Sequence, residues 1–145
     1  MKKFIKRKEK NEGKNIELGL HTITEVYEEE ITESKTKYII GGVRSGQKLS
    51  SDGSLVIVGD VNAGAEIIAK ENIIVLGTLR GVAHAGAKGN RKTIIAAQKI
   101  ASPQLRIANI LWENNVIKGI DNTIDEDRIN CYAKIEKDLI NINKY

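Results

Sequence analysis

Arg44-Ser45-Gly46-Gln47 sets a guanidinium, a hydroxyl and an amide side by side around one glycine. All three are directional hydrogen-bonding groups, and the guanidinium presents a planar fork of donors suited to carboxylate or carbonyl partners. Val43 and Leu49 anchor the stretch on either side. It therefore reads as an exposed turn in which Gly46 is free to take a positive φ. The chemistry of such a turn is recognition; plain solubility would also account for it. Asp60 follows Gly59 and could either cap backbone N–H groups at a corner or touch a partner. Arg80, before Gly81, either joins the surface of Arg44 or is simply solvated.

Residues that could break bonds are scarce. His84 lies among alanines and glycines, and an acyltransferase-like role would rest on it alone. His21 has no carboxylate or cysteine at metal-ligand spacing, so no metal site is expected. There is no phosphate-cradling glycine loop with its lysine, no nucleophile elbow and no pair of carboxylates on a common site. The expectation is a binding module, with no catalytic residue and no cofactor.

The elements that must position these residues show in Leu55 to Gly86. Leu55-Val56-Ile57-Val58 and Ile73-Ile74-Val75-Leu76 each run directly into a glycine, and the two glycines, Gly59 and Gly77, lie 18 residues apart. Each is followed two residues on by an aliphatic, Val61 or Leu79, and then by a patch of small residues. Such a period is the mark of a stacked repeat. No helical pattern of ~10 residues separates the runs, so parallel strands cannot be joined by crossover helices. Winding solves the problem, with each run about 4.8 Å from the one a period away. A third coil stretches to a period of 21, with Ala87 to Lys92 as an inserted polar loop, Gln98 in place of the glycine, and Ile100 in place of Val61 and Leu79. Pro103, the one proline, falls at a corner.

The fold class expected is all-β: a parallel β-helix of three to four coils over 38–111, then a polar loop and a capping hairpin within 112–145. Lys137-Asp138 is the hairpin turn candidate. Ser50 to Ser54 reads as a turn cluster, and Tyr38-Ile39-Ile40 as the start of the first strand. Doubled isoleucines such as Ile67-Ile68, Ile73-Ile74 and Ile94-Ile95 cannot both point inward, because alternate side chains face opposite ways. One of each pair should face out and build an apolar patch that calls for a partner.

Composition agrees. The 145 residues include only 4% aromatics, which suits a narrow bore filled by β-branched side chains. Net charge is +4, which does not by itself point to nucleic acid. Residues 1–37 form a basic then acidic arm, expected to be partly disordered, with seven Lys or Arg in the first 14 positions. The lone Cys131 allows no internal disulfide and favours a reducing compartment. No run approaches the ~20 apolar residues of a membrane helix, so a cytoplasmic protein without direct membrane insertion is expected.

Arg44 to Gln47, Gly59-Asp60-Val61-Asn62-Ala63-Gly64-Ala65-Glu66 and Gly77 to Ala87 together resemble the carboxy-terminal domain of the septum site-determining MinC family, as does the closing AKIEKDLININ segment. The resemblance covers roughly residues 38–145. It implies a right-handed β-helix of triangular section that dimerises through one apolar face. It also implies a binding surface for the ATP-bound, membrane-associated ATPase MinD, to which Arg44, Ser45, Gly46 and Gln47 contribute, and recruitment to the inner face of the cell membrane through that partner. The family's amino-terminal domain, which supplies most antagonism of the tubulin-like FtsZ, has no counterpart in the first 37 residues. The expectation is thus a short form whose contact with FtsZ is weak or indirect. The contrasting reading is a polymerising β-helix scaffold resembling bactofilins, which would need uncapped ends.

Overall fold

The computed structural model describes residues 35–114 and 128–145. His21, the arm up to residue 34 and most of the polar loop after Trp112 lie outside those residues. Within them the secondary structure is all strand: β1 Thr36–Ile40, β2 Lys48–Ser51, β3 Ser54–Val58, β4 Glu66–Ala69, β5 Ile73–Leu79, β6 Val82–Ala85, β7 Ile95–Ile100, β8 Gln104–Ile107, β9 Ile110–Glu113, β10 Ile129–Glu136 and β11 Leu139–Lys144.

Strands β1 to β8 alternate between two sheets, ordered β1-β3-β5-β7-β10-β11 and β2-β4-β6-β8-β9. Pairing is parallel from β1 through β7 and from β2 through β8, so the chain winds as a solenoid of about four turns. A third side is narrow, formed where Val43, Val61 and Leu79 bridge in parallel and Ile100 continues from Leu79. The alternation in the sequence decides what faces inward. Leu55, Ile57, Ile73 and Ile95 from the first sheet meet Ile67, Ala83, Leu105 and Ile107 from the second, all at 0% exposure. Each buried Leu or Ile among them contributes about 1.5–3 kcal/mol relative to exposure.

The 18-residue period holds from β1 to β3, β2 to β4 and β3 to β5. It then breaks. Glu66 pairs with Val82, a step of 16, and Ala83 with Leu105, a step of 22. Against the expected stretch to 21, the step from β5 to β7 is 22 at Ile73 and 21 at Thr78, with a β irregularity between Val75 and Thr78. Gly81 therefore lies over Ala65, whose carbonyl oxygen would sit 2.5 Å from an added Cβ, and not over Ala63 as an even period would place it.

Two boundaries also differ from expectation. Ser50 and Ser51 belong to β2, paired with Ile68 and Ala69, and only Asp52-Gly53 remains as the turn. Ile110 to Trp112 does not continue the coil: β9 folds back antiparallel on β8, with Ala108 at φ 54 in the reversal. Ala108 takes a left-handed step that usually falls to glycine, so no sequence signal announced the turn. The expected closing hairpin is present. β10 runs antiparallel to both β7 and β11, and Lys137 and Asp138 turn with φ of 53 and 64.

Candidate functional site

Arg44 to Gln47 forms a compact turn held by its own groups. Gln47 N–H donates to the Arg44 carbonyl at 3.0 Å, and Arg44 N–H donates to Gln47 Oε1 at 2.6 Å. Gly46 takes φ 86, as anticipated. Its N–H donates to the Gly64 carbonyl at 3.0 Å, and Glu66 N–H donates to the Gln47 carbonyl at 3.0 Å, so the turn is pinned to the coil next to it. Gly64 takes φ 89, which favours glycine, and a Cβ there would also lie 2.4 Å from Ser45 Oγ. The Gln47 side chain thus works inside the turn through its oxygen, while Arg44 and Ser45 remain exposed.

Register extends this turn into a surface. Val43, Val61 and Leu79 are bridged partners, so the residues that follow them, Arg44, Asn62 and Arg80, occupy one position on three successive coils. At about 4.8 Å per coil, Arg44 and Arg80 are about 10 Å apart along the stack. Arg80 therefore joins the side of the solenoid that carries the turn. Asn62 is legible in the sequence only through spacing, since 44, 62 and 80 are separated by the same 18 residues as the glycines.

Asp60 orders this corner. Its Oδ1 accepts from Thr78 N–H at 2.8 Å, which is the capping role open to it from sequence, and its Oδ2 lies 3.4 Å from Arg80 Nη1. The backbone hydrogen bond from Thr78 is the main reason that its carboxyl titrates below the ordinary 3.8; Arg80 adds to the effect, and partial burial opposes it. Gly77 makes this approach possible, since a Cβ there would fall 2.4 Å from Gly59 O and 2.6 Å from Asp60 Oδ1. Arg80 is thereby held through one nitrogen of its guanidinium, with its side chain about half exposed.

The uneven period shapes the same side. Between the third side and the second sheet lie four residues in the first and second coils, 44–47 and 62–65, but only Arg80 and Gly81 in the third. The shortfall leaves an open recess of about 460 Å³ lined by Ala63, Gly64, Arg80, Gly81, Val82, Ala101, Pro103 and Asn114. The small residues at 63 and 64 look alike in composition to those at 81 to 83, which hid the shortening.

The doubled isoleucines divide as alternation requires, but onto two faces. Ile74 points out from the first sheet, whereas Ile68 points out from the second. The first sheet carries the larger apolar surface: Tyr38 aligns with Val56 and Ile74, and Ile40 with Val58 and Leu76. Ile40 is 78% and Leu76 47% exposed.

His84 sits half-buried on the outer face of the second sheet, one ring nitrogen 2.9 Å from the Ala108 carbonyl oxygen. Burial raises the Cys131 thiol pKa, leaving it neutral in the core beside β7. Among the described residues no three His, Cys, Asp or Glu side chains gather as metal ligands, and no helix is long and apolar enough to cross a membrane.

Residues 37–145 match the family described as septum formation inhibitor MinC, C-terminal domain. The chain is 44% identical over 116 residues to a protein of Ruminiclostridium cellulolyticum named as a probable septum site-determining protein MinC, covering 79% of this chain and 48% of that one. It is 55% identical over 69 residues to the protein of the same name from Symbiobacterium thermophilum, covering 48% of this chain and 30% of that one. The chain thus spans about half or less of the length of these relatives. Its fold is similar to a solved chain of the MinC:MinD cell division protein complex of Aquifex aeolicus, with a TM-score of 0.68 and 33% identity, over 77% of this chain and 88% of that one.

Proposed function

The chain belongs to the MinC septum-site-determining family through its C-terminal domain, and from that premise we propose that it is a cell-division regulator that docks on ATP-bound MinD. The docking surface is the side of the solenoid that carries Arg44, Ser45, Asn62 and Arg80, with Asp60, Gly46 and Gln47 holding it in shape. The alignment of Arg44, Asn62 and Arg80 on three successive coils is the observation that carries this reading. A rigid backbone fixes their spacing, so little loop entropy has to be given up on binding.

Self-association uses a different face. Exposed Tyr38, Ile40, Val58 and Leu76 lie on neighbouring strands of the first sheet, and a second copy meeting that face across a two-fold axis would cover them. The module acts by binding and not by catalysis. It takes part in septum placement by being carried to the membrane on MinD, and any effect on FtsZ is weak or indirect. A pull-down with MinD in ATP and in ADP tests this. Retention in ATP alone, reduced at least ~10-fold in Arg44→Ala and in Arg80→Ala, is expected. Equal capture of wild type and both variants would remove the assignment.

A further inference from the structure

The first coil departs from the others at the bore. Lys37 and Ile39 of β1 are in register with Leu55 and Ile57, and Leu49 and Ser51 of β2 with Ile67 and Ala69. The position held by Lys37 is filled by Leu55, Ile73 and Ile95 in the following coils, each at 0% exposure. A lysine thus stands where every later coil has a large aliphatic. Its side chain crosses the end of the bore, and Nζ donates to the Ser50 carbonyl on the other sheet at 3.1 Å. Ser51, at the second polar bore position, donates from its hydroxyl to the Ser54 carbonyl at 2.8 Å and accepts from Gly53 N–H at 3.2 Å.

The two ends of the stack are therefore finished differently. At the far end the outermost strands β9 and β11 are the return arms of antiparallel hairpins. At the near end, among the described residues, β1 and β2 are the free sheet edges and present parallel-sheet backbone in line with the bore. Such an edge is a template for another strand, and an inward-pointing charge is a known means of blocking it. End-to-end pairing of two copies would enclose two ammonium groups in a closed bore, and the inward residues Lys37, Ile39, Val43, Leu49 and Ser51 supply no carboxylate to pair with them.

We propose that Lys37, assisted by Ser51, terminates the solenoid: it prevents a second copy of this chain from stacking on the first coil and leaves the outer face of the first sheet for self-association. Lys37 acts apart from docking on MinD, the self-association face being that of the proposed function, and it separates this chain from a filament-forming β-helix.

Sedimentation of the full chain over a range of concentrations tests it, comparing wild type, Lys37→Arg and the double variant Lys37→Ile with Ser51→Ala. Wild type and Lys37→Arg should reach the same limiting mass, and the double variant should rise at least about twofold above it as concentration increases. A double variant that stays folded at the wild-type mass overturns the proposal. Should the double variant fail to fold, hydrogen exchange on wild type decides. The outward-directed amides of β1 and β2 should exchange fast at every concentration, whereas protection that grows with concentration would show that the native end already stacks.

Discussion

The two sheets are alike inside and unlike outside. Facing the bore, from the second coil onward, both present a row of buried aliphatics at one residue per pleat. Facing out, the first sheet shows Tyr38, Ile40, Val56, Val58, Ile74 and Leu76 in adjoining rows, whereas the second mixes Ser50, Ile68, His84 and Arg106. Inner rows are set by the need to fill one narrow bore, so they converge. Outer rows are free of that demand and can differ. The side between them, bearing the pinned turn and the stacked Arg44, Asn62 and Arg80, is polar and held by backbone hydrogen bonds.

The largest effects should ignore the difference between the sheets. Leu55→Ala in the first and Ile67→Ala in the second should each cost about 2–5 kcal/mol in denaturant unfolding, because both side chains are fully buried and the coil cannot collapse onto the cavity. If one were tolerated at under ~1 kcal/mol, the equivalence of the inner faces would fail.

The next prediction separates the faces. Leu76→Asp, on the outer face of the first sheet, should reduce the mass in solution to that of a single chain, while Ile68→Asp on the second leaves it unchanged. Light scattering reads both, and the reverse pattern would move the self-association face. Smaller still is the contribution of Asp60. Asp60→Ala should lower stability by about 1 kcal/mol, since the carboxylate is half exposed and its charge-assisted bond to Thr78 is partly screened. The carboxyl titrates lower in the folded chain than its ordinary 3.8, so this stabilisation is complete above about pH 3.8 and is lost as pH falls through the folded value. Melting curves of wild type should therefore converge on those of Asp60→Asn in acid.

Much of this was legible in the sequence because a solenoid writes its period directly. Gly59 and Gly77, the aliphatic runs before them, and the Arg44 to Gln47 turn all stand where an 18-residue winding puts them. The remainder was hidden for physical reasons. The third corner lost two residues without changing composition, since Gly81 does at the corner what Ala65 does one coil earlier. The β8-β9 reversal turns at Ala108 and not at a glycine, so its apolar residues read as one more coil. Ser51 resembles a turn residue because, among the described residues, it lies at the bore end of the outermost coil, and Ser50 beside it faces outward.

The central claim is that function lies on the stacked polar side and that the outer face of the first sheet serves only self-association. Titration of ATP-loaded MinD with wild type, Asn62→Ala and Leu76→Asp measures it. Asn62→Ala should weaken binding several-fold with the solution mass and melting temperature unchanged, and Leu76→Asp should bind each MinD site with the wild-type affinity while remaining a single chain. Wild-type affinity in Asn62→Ala, together with lost binding in Leu76→Asp, would place the MinD contact on the sheet and contradict the account.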